Sequence, residues 1–409
     1  LPVNNIHAVS VSMPTLQEVI DYEENENGIH EKIKSAYPRF VMHPYLKKMA
    51  QFLKQKYDIS DKYEIVVVSS KKAVNLISDK YFIHNPIDID EPFGVILVIR
   101  GTSQLDKVLT FIQHVGCNLS SRFAQDYLFE NGIIDTKHIE ELEVEDKSED
   151  ILLSTLASAY KQPKQNICLA PSGMNAVFSV LEGLKTIQDR NNRNILVQLG
   201  WLYLDTMNIV KNHYDKTKLF YDINALDELE EYLKEYGCKV SALITEVPTN
   251  PLLITVDVPR LKKLCDKYSI PLVIDSTFAT PYNLDLKPYA DVYIESLTKY
   301  ACGNADVLMG LVVLNENSKL ACCASEFFKH ADKPYIKDIQ RIAYEIKNYE
   351  SRMKKINKNT TKLVEYLKTK DFIDKIYYAL SEENGDKYSK LMQYDNAIGG
   401  VVSLTFTKP

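Results

Sequence analysis

Lys299 stands in Ser296-Leu297-Thr298-Lys299, directly after an apolar run that ends Val292-Tyr293-Ile294-Glu295. An earlier run, Pro271-Leu272-Val273-Ile274, delivers Asp275 and is followed by Ser276-Thr277-Phe278-Ala279-Thr280-Pro281. An acid at the end of one strand and a lysine flanked by hydroxyls at the end of the next is what pyridoxal phosphate requires. The carboxylate pairs with the pyridinium nitrogen and keeps the ring an electron sink; the lysine forms the Schiff base; the hydroxyls help hold the phosphate. A lone lysine after a strand is ordinarily a solvated surface residue. Lys299 is set apart by its neighbours.

Four more segments belong with it. Pro171-Ser172-Gly173-Met174-Asn175 lies between a strand-like and a helix-like run. A Gly-containing turn at a helix N-terminus offers free backbone N–H groups to a phosphate. Tyr203, in Leu199-Gly200-Trp201-Leu202-Tyr203, could stack on a cofactor ring, and Glu246-Val247-Pro248-Thr249-Asn250-Pro251 could bring the Asn250 amide to a ring hydroxyl. Gly303-Asn304-Ala305-Asp306 continues the lysine loop. Taken singly, these have plain readings: a strand–helix turn, a core tyrosine, a proline-rich turn.

The elements that must hold these residues follow from the hydrophobic pattern. From residue 151 to 334, short and nearly all-apolar runs alternate with helical ones: 166–169, 194–197, 242–245, 272–275, 292–295 and 310–314. That pattern predicts an α/β domain with a mostly parallel central sheet, helices on both faces, and ligands at the carboxyl ends of the strands. Residues 1–58 read as an arm, with helical spacing in 16–22 and 44–57. Residues 59–150 read as a small α/β insertion, with strands at 64–68 and 94–99 and helices at 72–82 and 105–115. The acidic stretch 140–150 reads as an exposed connector. Residues 335–409 read as long charged helices, then strands at 373–378 and 399–406, the start of a C-terminal α+β domain. A domain of so few strands cannot close a core, so further residues are expected beyond Pro409.

The chain has 409 residues, 45% of them apolar, and a net charge of −6, enough for two or three domains with cores of their own. The weakly acidic balance, with no long basic run, argues against a nucleic-acid partner. No run of about 18 apolar residues predicts a membrane helix, and no signal peptide is visible at residues 1–20. The seven cysteines, scattered and without a C-x-x-C pair, read as reduced thiols of a cytoplasmic protein rather than as disulfides or zinc ligands. Cys302 lies close to Lys299 in sequence and has no assigned role.

In this order and spacing, the segments from Ala170 to Leu314 resemble the Cys/Met-metabolism family of pyridoxal-phosphate enzymes, which includes cystathionine γ-synthases, cystathionine lyases and sulfhydrylases. The resemblance extends to Ser351-Arg352-Met353 and Leu363–Tyr378. Three further segments look like the fungal-type cystathionine γ-synthase branch: residues 7–14, Tyr37-Pro38-Arg39-Phe40 with Val41-Met42-His43-Pro44, and Cys117-Asn118-Leu119-Ser120-Ser121-Arg122. The resemblance implies the fold type I (aspartate aminotransferase-like) pyridoxal-phosphate-dependent transferase fold. It implies Lys299 as the Schiff-base lysine and proton shuttle, Asp275 on the ring nitrogen, Tyr203 stacked on the ring with a part in proton transfer, and Asn250 on the ring hydroxyl. Gly173, Met174, Ser296 and Thr298 would bind the phosphate within one subunit. Tyr37 and Arg39 would reach it from the neighbouring subunit of a homodimer or homotetramer with shared sites, a task that suits the planar fork of arginine.

The chain departs from the family pattern at Asn304, where His is frequent, at Ser276, where Asn is frequent, and at Leu204-Asp205, which replace a glycine pair. The arginine that binds the substrate carboxylate in the family would fall beyond Pro409. The implied activity is γ-replacement on an activated homoserine ester by a thiol, within transsulfuration and methionine biosynthesis. Cysteine would give cystathionine and sulfide would give homocysteine. Two alternatives stay open: elimination by a cystathionine or methionine lyase, and a non-catalytic paralogue acting through the 59–150 insertion as a binding module.

Overall fold

The computed structural model describes residues 5–10, 13, 15–24, 26–33, 37 and 41–407. Its centre is a seven-stranded sheet. The strands, in chain order, are β3 (Ile167–Ala170), β4 (Ile195–Leu199), β5 (Lys216–Phe220), β6 (Val240–Glu246), β7 (Leu272–Asp275), β8 (Val292–Ser296) and β9 (Gly310–Leu314), numbered after a preceding hairpin of β1 (Tyr63–Val68) and β2 (Gly94–Ile99). Across the sheet they lie in the order β3-β9-β8-β7-β6-β4-β5. The run β8-β7-β6-β4-β5 is parallel throughout; β9 is antiparallel to both β8 and β3. The expected mostly parallel sheet is therefore present, and β6, β7 and β8 stand side by side at its middle with their carboxyl ends at one edge.

Alternate residues of these strands face opposite cores, as the two-residue period of a strand dictates. Leu272, Ile274, Leu311 and Val313 enter one core; Val273, Val312 and Leu314 enter the other. The second core also takes in Val66 and Val68 of β1, Phe111, Ile112 and Val115. Residues 63–115 thus pack onto the sheet's own helix, Gly173–Gln188, rather than standing apart. The opposite face of the β1–β2 hairpin makes a third core with Met49, Leu53, Phe93 and Leu128, supplied by the helices Pro44–Lys56 and Ser121–Glu130.

Three features differ from the pattern-based expectation. β5 was not foreseen: Lys216-Thr217-Lys218-Leu219-Phe220 is an edge strand with Lys216 in water and Lys218 half-buried over the Phe220 and Tyr232 rings, so it lacks the continuous apolar run of its neighbours. The Ser121–Glu130 helix was not foreseen either; Ser120 caps it by accepting from the N–H groups of Arg122 and Phe123. The acidic stretch 140–150 is mostly exposed, as expected, but only 140–144 is a connector. Glu145 and Asp146 open the helix Glu145–Tyr160, where negative charge is favourable. Glu140 is partly buried and accepts from Arg122 through both oxygens, at 2.6 and 2.7 Å. The cation that neutralises it lies elsewhere in sequence, out of reach of a reading of local charge density. At the C-terminal end, β10 (Ile373–Tyr377) and β11 (Ser403–Phe406) pair only with each other, antiparallel.

Candidate active site

The carboxyl ends of β6, β7 and β8 open into one pocket of about 220 Å³, lined among others by Tyr37, Gly173, Tyr203, Asn250, Asp275 and Lys299. A larger cavity, of about 650 Å³, lies between the insertion and the helix Ile336–Glu345, against His7, Arg122 and Tyr335; Lys299 and Asp275 are not among its walls. Size therefore does not mark the site. The convergence of titratable groups on Lys299 does.

Helix Gly173–Gln188 presents its N-terminus to the pocket. Ser172 caps it by accepting from the Asn175 N–H at 3.0 Å. The N–H groups of Gly173 and Met174 have no acceptor among the described residues, and both residues line the pocket. A Cβ on Gly173 would come within 2.9 Å of the Ser296 Cβ, so glycine is needed for the helix end to approach the hydroxyl at the end of β8. The result is a cradle of two free N–H groups, a hydroxyl and the positive end of a helix. Thr277 ties this cradle to the acid: its N–H donates to Asp275 Oδ1 at 2.9 Å and its hydroxyl accepts from the Ser296 N–H at 2.9 Å.

Asp275 is raised above its ordinary carboxylate range by burial, against the opposing hydrogen bonds from Thr277. Glu246, its partner across the β6–β7 ladder, is pushed up to about 8 by burial and by the charge of Asp275. Among the described residues no cation lies within ion-pair distance of either acid. Lys299 sits in the same pocket with its Nζ 5.0 Å from the centre of the Tyr37 ring. Its surface is open to the water of the pocket, yet protein encloses the amine on most sides, and that desolvation lowers its pKa.

The pocket thus gathers Tyr37, Gly173, Met174, Tyr203, Asn250, Asp275, Ser296 and Lys299. Thr298 is not in its wall: the buried hydroxyl donates to the Met309 carbonyl at 3.3 Å and accepts from the Met309 N–H at 3.0 Å. Arg39 lies outside the described residues. Tyr37 lies in the pocket of its own chain. Cys302 is buried, its thiol turned to Asp306. It stands with Asp306 and Glu345 close enough to share a cation, but Arg341 already pairs with both carboxylates. Asn304 donates to Glu345, and the Ser276 hydroxyl meets that of Tyr160. Sequence reasoning passed over Thr277 and Glu246. Both stood in the quoted motifs, but their partners are set by the register of β6, β7 and β8.

A helix N-terminus with free N–H groups suits a phosphate, a buried acid without a cation suits a basic ring nitrogen, and a desolvated lysine suits a carbonyl. The chain belongs to the Cys/Met metabolism PLP-dependent enzyme family, whose sequence model matches residues 146–409. Over 99% of its length it is 32% identical to an L-2-amino-4-chloropent-4-enoate dechlorinase/desaturase from Streptantibioticus cattleyicolor, covering 82% of that relative. It is 25% identical to a cystathionine gamma-synthase from Saccharomyces cerevisiae, over 99% of this chain and 86% of the relative. Among solved structures it resembles cystathionine gamma synthase from Xanthomonas oryzae pv. oryzae in complex with cystathionine, with TM-score 0.55 and 19% identity. That match covers 64% of this chain, which spans 65% of the solved one, and it shows the shared fold, that of pyridoxal-phosphate-dependent transferases. Pyridoxal phosphate is the cofactor. The residues present fit it: a cradle that a Cβ would fill, and a buried acid without a cation. Among the described residues no helix is long and apolar enough to cross a membrane.

Proposed function

We propose that this enzyme acts at the γ-carbon of a 2-amino acid, and that its reaction is replacement of the acyloxy group of an activated homoserine ester by a thiol. The observation that carries this reading is the uncompensated acid pair, Asp275 with Glu246, in the same pocket as a desolvated Lys299 that no carboxylate holds among the described residues.

Gly173, Met174 and Ser296 would hold the cofactor phosphate. Asp275 would meet the ring nitrogen, Asn250 the ring hydroxyl and Tyr203 the ring face. Thr298 supports this cradle through Met309, and Tyr37, in the pocket of its own chain, adds with Arg39 to the phosphate contacts of an enzyme that assembles as a homodimer or homotetramer. Exposed Leu16, Val19 and Ile20 on the arm helix support its lying against another copy. The bound cofactor supplies an electron sink for negative charge at the α-carbon. Lys299, with its amine neutral at lower pH than a free lysine, takes the α-proton at Nζ, gives that proton up by relay through the Tyr203 hydroxyl and, neutral again, serves as base at the β-carbon. Tyr203 assists this proton movement. Loss of the γ-substituent and addition of the thiol follow; cysteine gives cystathionine, sulfide homocysteine.

A second reading is γ-elimination without a thiol. It is supported by the Streptantibioticus relative, whose name puts its halogen on carbon 4, the γ-carbon of the amino acid. The visible spectrum of purified protein, recorded before and after O-acetylhomoserine, tests the common core: a cofactor band that the ester shifts is expected. Product analysis with cysteine, with sulfide and with neither then separates replacement from elimination. No turnover of any γ-substituted amino acid would sink both readings and redirect attention to the insertion.

A further inference from the structure

Glu246 ends β6 inside the pocket wall and is 6% exposed. One carboxyl oxygen accepts from the Tyr203 N–H at 2.5 Å; the other accepts from the Asn250 N–H at 3.2 Å. Tyr203 precedes the helix Leu204–His213, and Asn250 lies in the loop after β6. A single side chain therefore joins the two loops that carry the face contact and the edge contact of the cofactor ring. The same side chain stands beside Asp275 in register, so the sheet puts a second anion next to the one assigned to the ring nitrogen. Neither acid has a cation among the described residues.

We propose that Glu246 is a positioning residue for the cofactor: its carboxyl fixes Tyr203 against Asn250, and its charge adds to that of Asp275 in holding a cationic ring. This rests on the roles proposed above for Asp275, Tyr203 and Asn250. Burial and the neighbouring charge keep Glu246 partly protonated in the ligand-free protein at neutral pH. A cation arriving at Asp275 relieves that repulsion and favours its ionised form. Cofactor binding is then accompanied by proton release from Glu246.

The test compares wild type with Glu246→Gln, Glu246→Ala and Asp275→Asn. Each is titrated with pyridoxal phosphate by visible absorbance, with circular dichroism of the bound cofactor and a pH titration of its band. Glu246→Gln keeps the shape but turns an N–H group toward a backbone donor. It is expected to weaken cofactor binding about tenfold, the scale of one hydrogen bond lost to a charged acceptor. It should also lower the pH midpoint of the band, because an anion beside a cation has been removed, and change the dichroism, because the ring is held less firmly. Glu246→Ala should exceed it in all three. A merely structural Glu246 would instead lower the melting temperature and leave the affinity, the midpoint and the dichroism at wild-type values. That result for Glu246→Gln, with Asp275→Asn impaired, overturns this inference alone. Unimpaired binding in Asp275→Asn as well would overturn the site assignment beneath it.

Discussion

Two groups of buried acids flank the loop that follows Lys299, and they are treated in opposite ways. On one side Arg122 and Arg341 lie among Glu140, Asp306, Asp338 and Glu345. Burial alone would lower the Arg122 pKa, and the surrounding carboxylates outweigh it and raise it. On the other side Glu246 is buried and Asp275 partly so, at the pocket wall, and neither has an arginine or lysine within ion-pair distance among the described residues. Charges without partners are expensive to hide. The first group spends its charges on joining the insertion to the lysine loop and to the helix Ile336–Glu345. The second holds its charge in reserve for something that arrives from outside. Pairing marks a buried charge as architectural; lack of pairing marks it as a binding element.

The sharpest way to break this comparison is Lys299→Ala. Turnover should fall by about a thousandfold or more, the upper range for loss of a positioned base that is also the covalent attachment point. Residual turnover near wild type would end the catalytic reading of the pocket. Arg122→Met should do the converse. Removing one partner of a buried ion group costs ~3–5 kcal/mol, seen as a large fall in melting temperature, while the cofactor affinity of the folded fraction changes little. A variant as stable as wild type would mean that the cluster is ornamental.

Glu295 is the intermediate case, buried without a cation but accepting from the hydroxyls of Tyr160 and Tyr349, each at 2.5 Å. Burial pushes its pKa up from 4.5 to about 7, against those two hydrogen bonds. The folded state therefore keeps a proton that the unfolded state has released. The stabilisation is complete below pH 4.5 and is lost as pH rises to about 7. At ~1.4 kcal/mol per pH unit this is worth about 3 kcal/mol. Glu295→Gln, neutral at every pH, should be close to wild type at pH 5 and more stable than it by roughly that amount at pH 8. An equal difference at both pH values, measured by denaturant unfolding, would show that Glu295 does not titrate in this window. Smallest of all, Glu350→Ala removes the exposed partner of Lys354. No measurable change in melting temperature is expected, since water screens such a pair.

Much of the site was legible in the sequence because strand-end motifs are local. Asp275, Ser296 and Lys299 each follow an apolar run, and Gly173 follows a run and opens a helix, so their place at the edge of a parallel sheet follows from short-range pattern alone. The five strands that lie inside the sheet announced themselves by continuous apolar stretches; the edge strand β5, half polar, did not. Neither did Glu140, whose acidic neighbourhood reads as solvated until the fold delivers Arg122 to it.

The sequence by itself determined the chemistry: which residues could bind a phosphate, pair with a ring nitrogen and form an imine, and that an α/β sheet would carry them. Only the tertiary structure decided which charges are neutralised. It turned the Thr298 hydroxyl to Met309, gave Thr277 the work of linking Asp275 to Ser296, and set Glu246 beside Asp275 with one oxygen toward Tyr203 and the other toward Asn250. The physical reason is that hydrogen bonding and ion pairing act over a few ångströms in space, whatever the separation along the chain. Strand register and loop packing, not residue type, decide what comes within that reach.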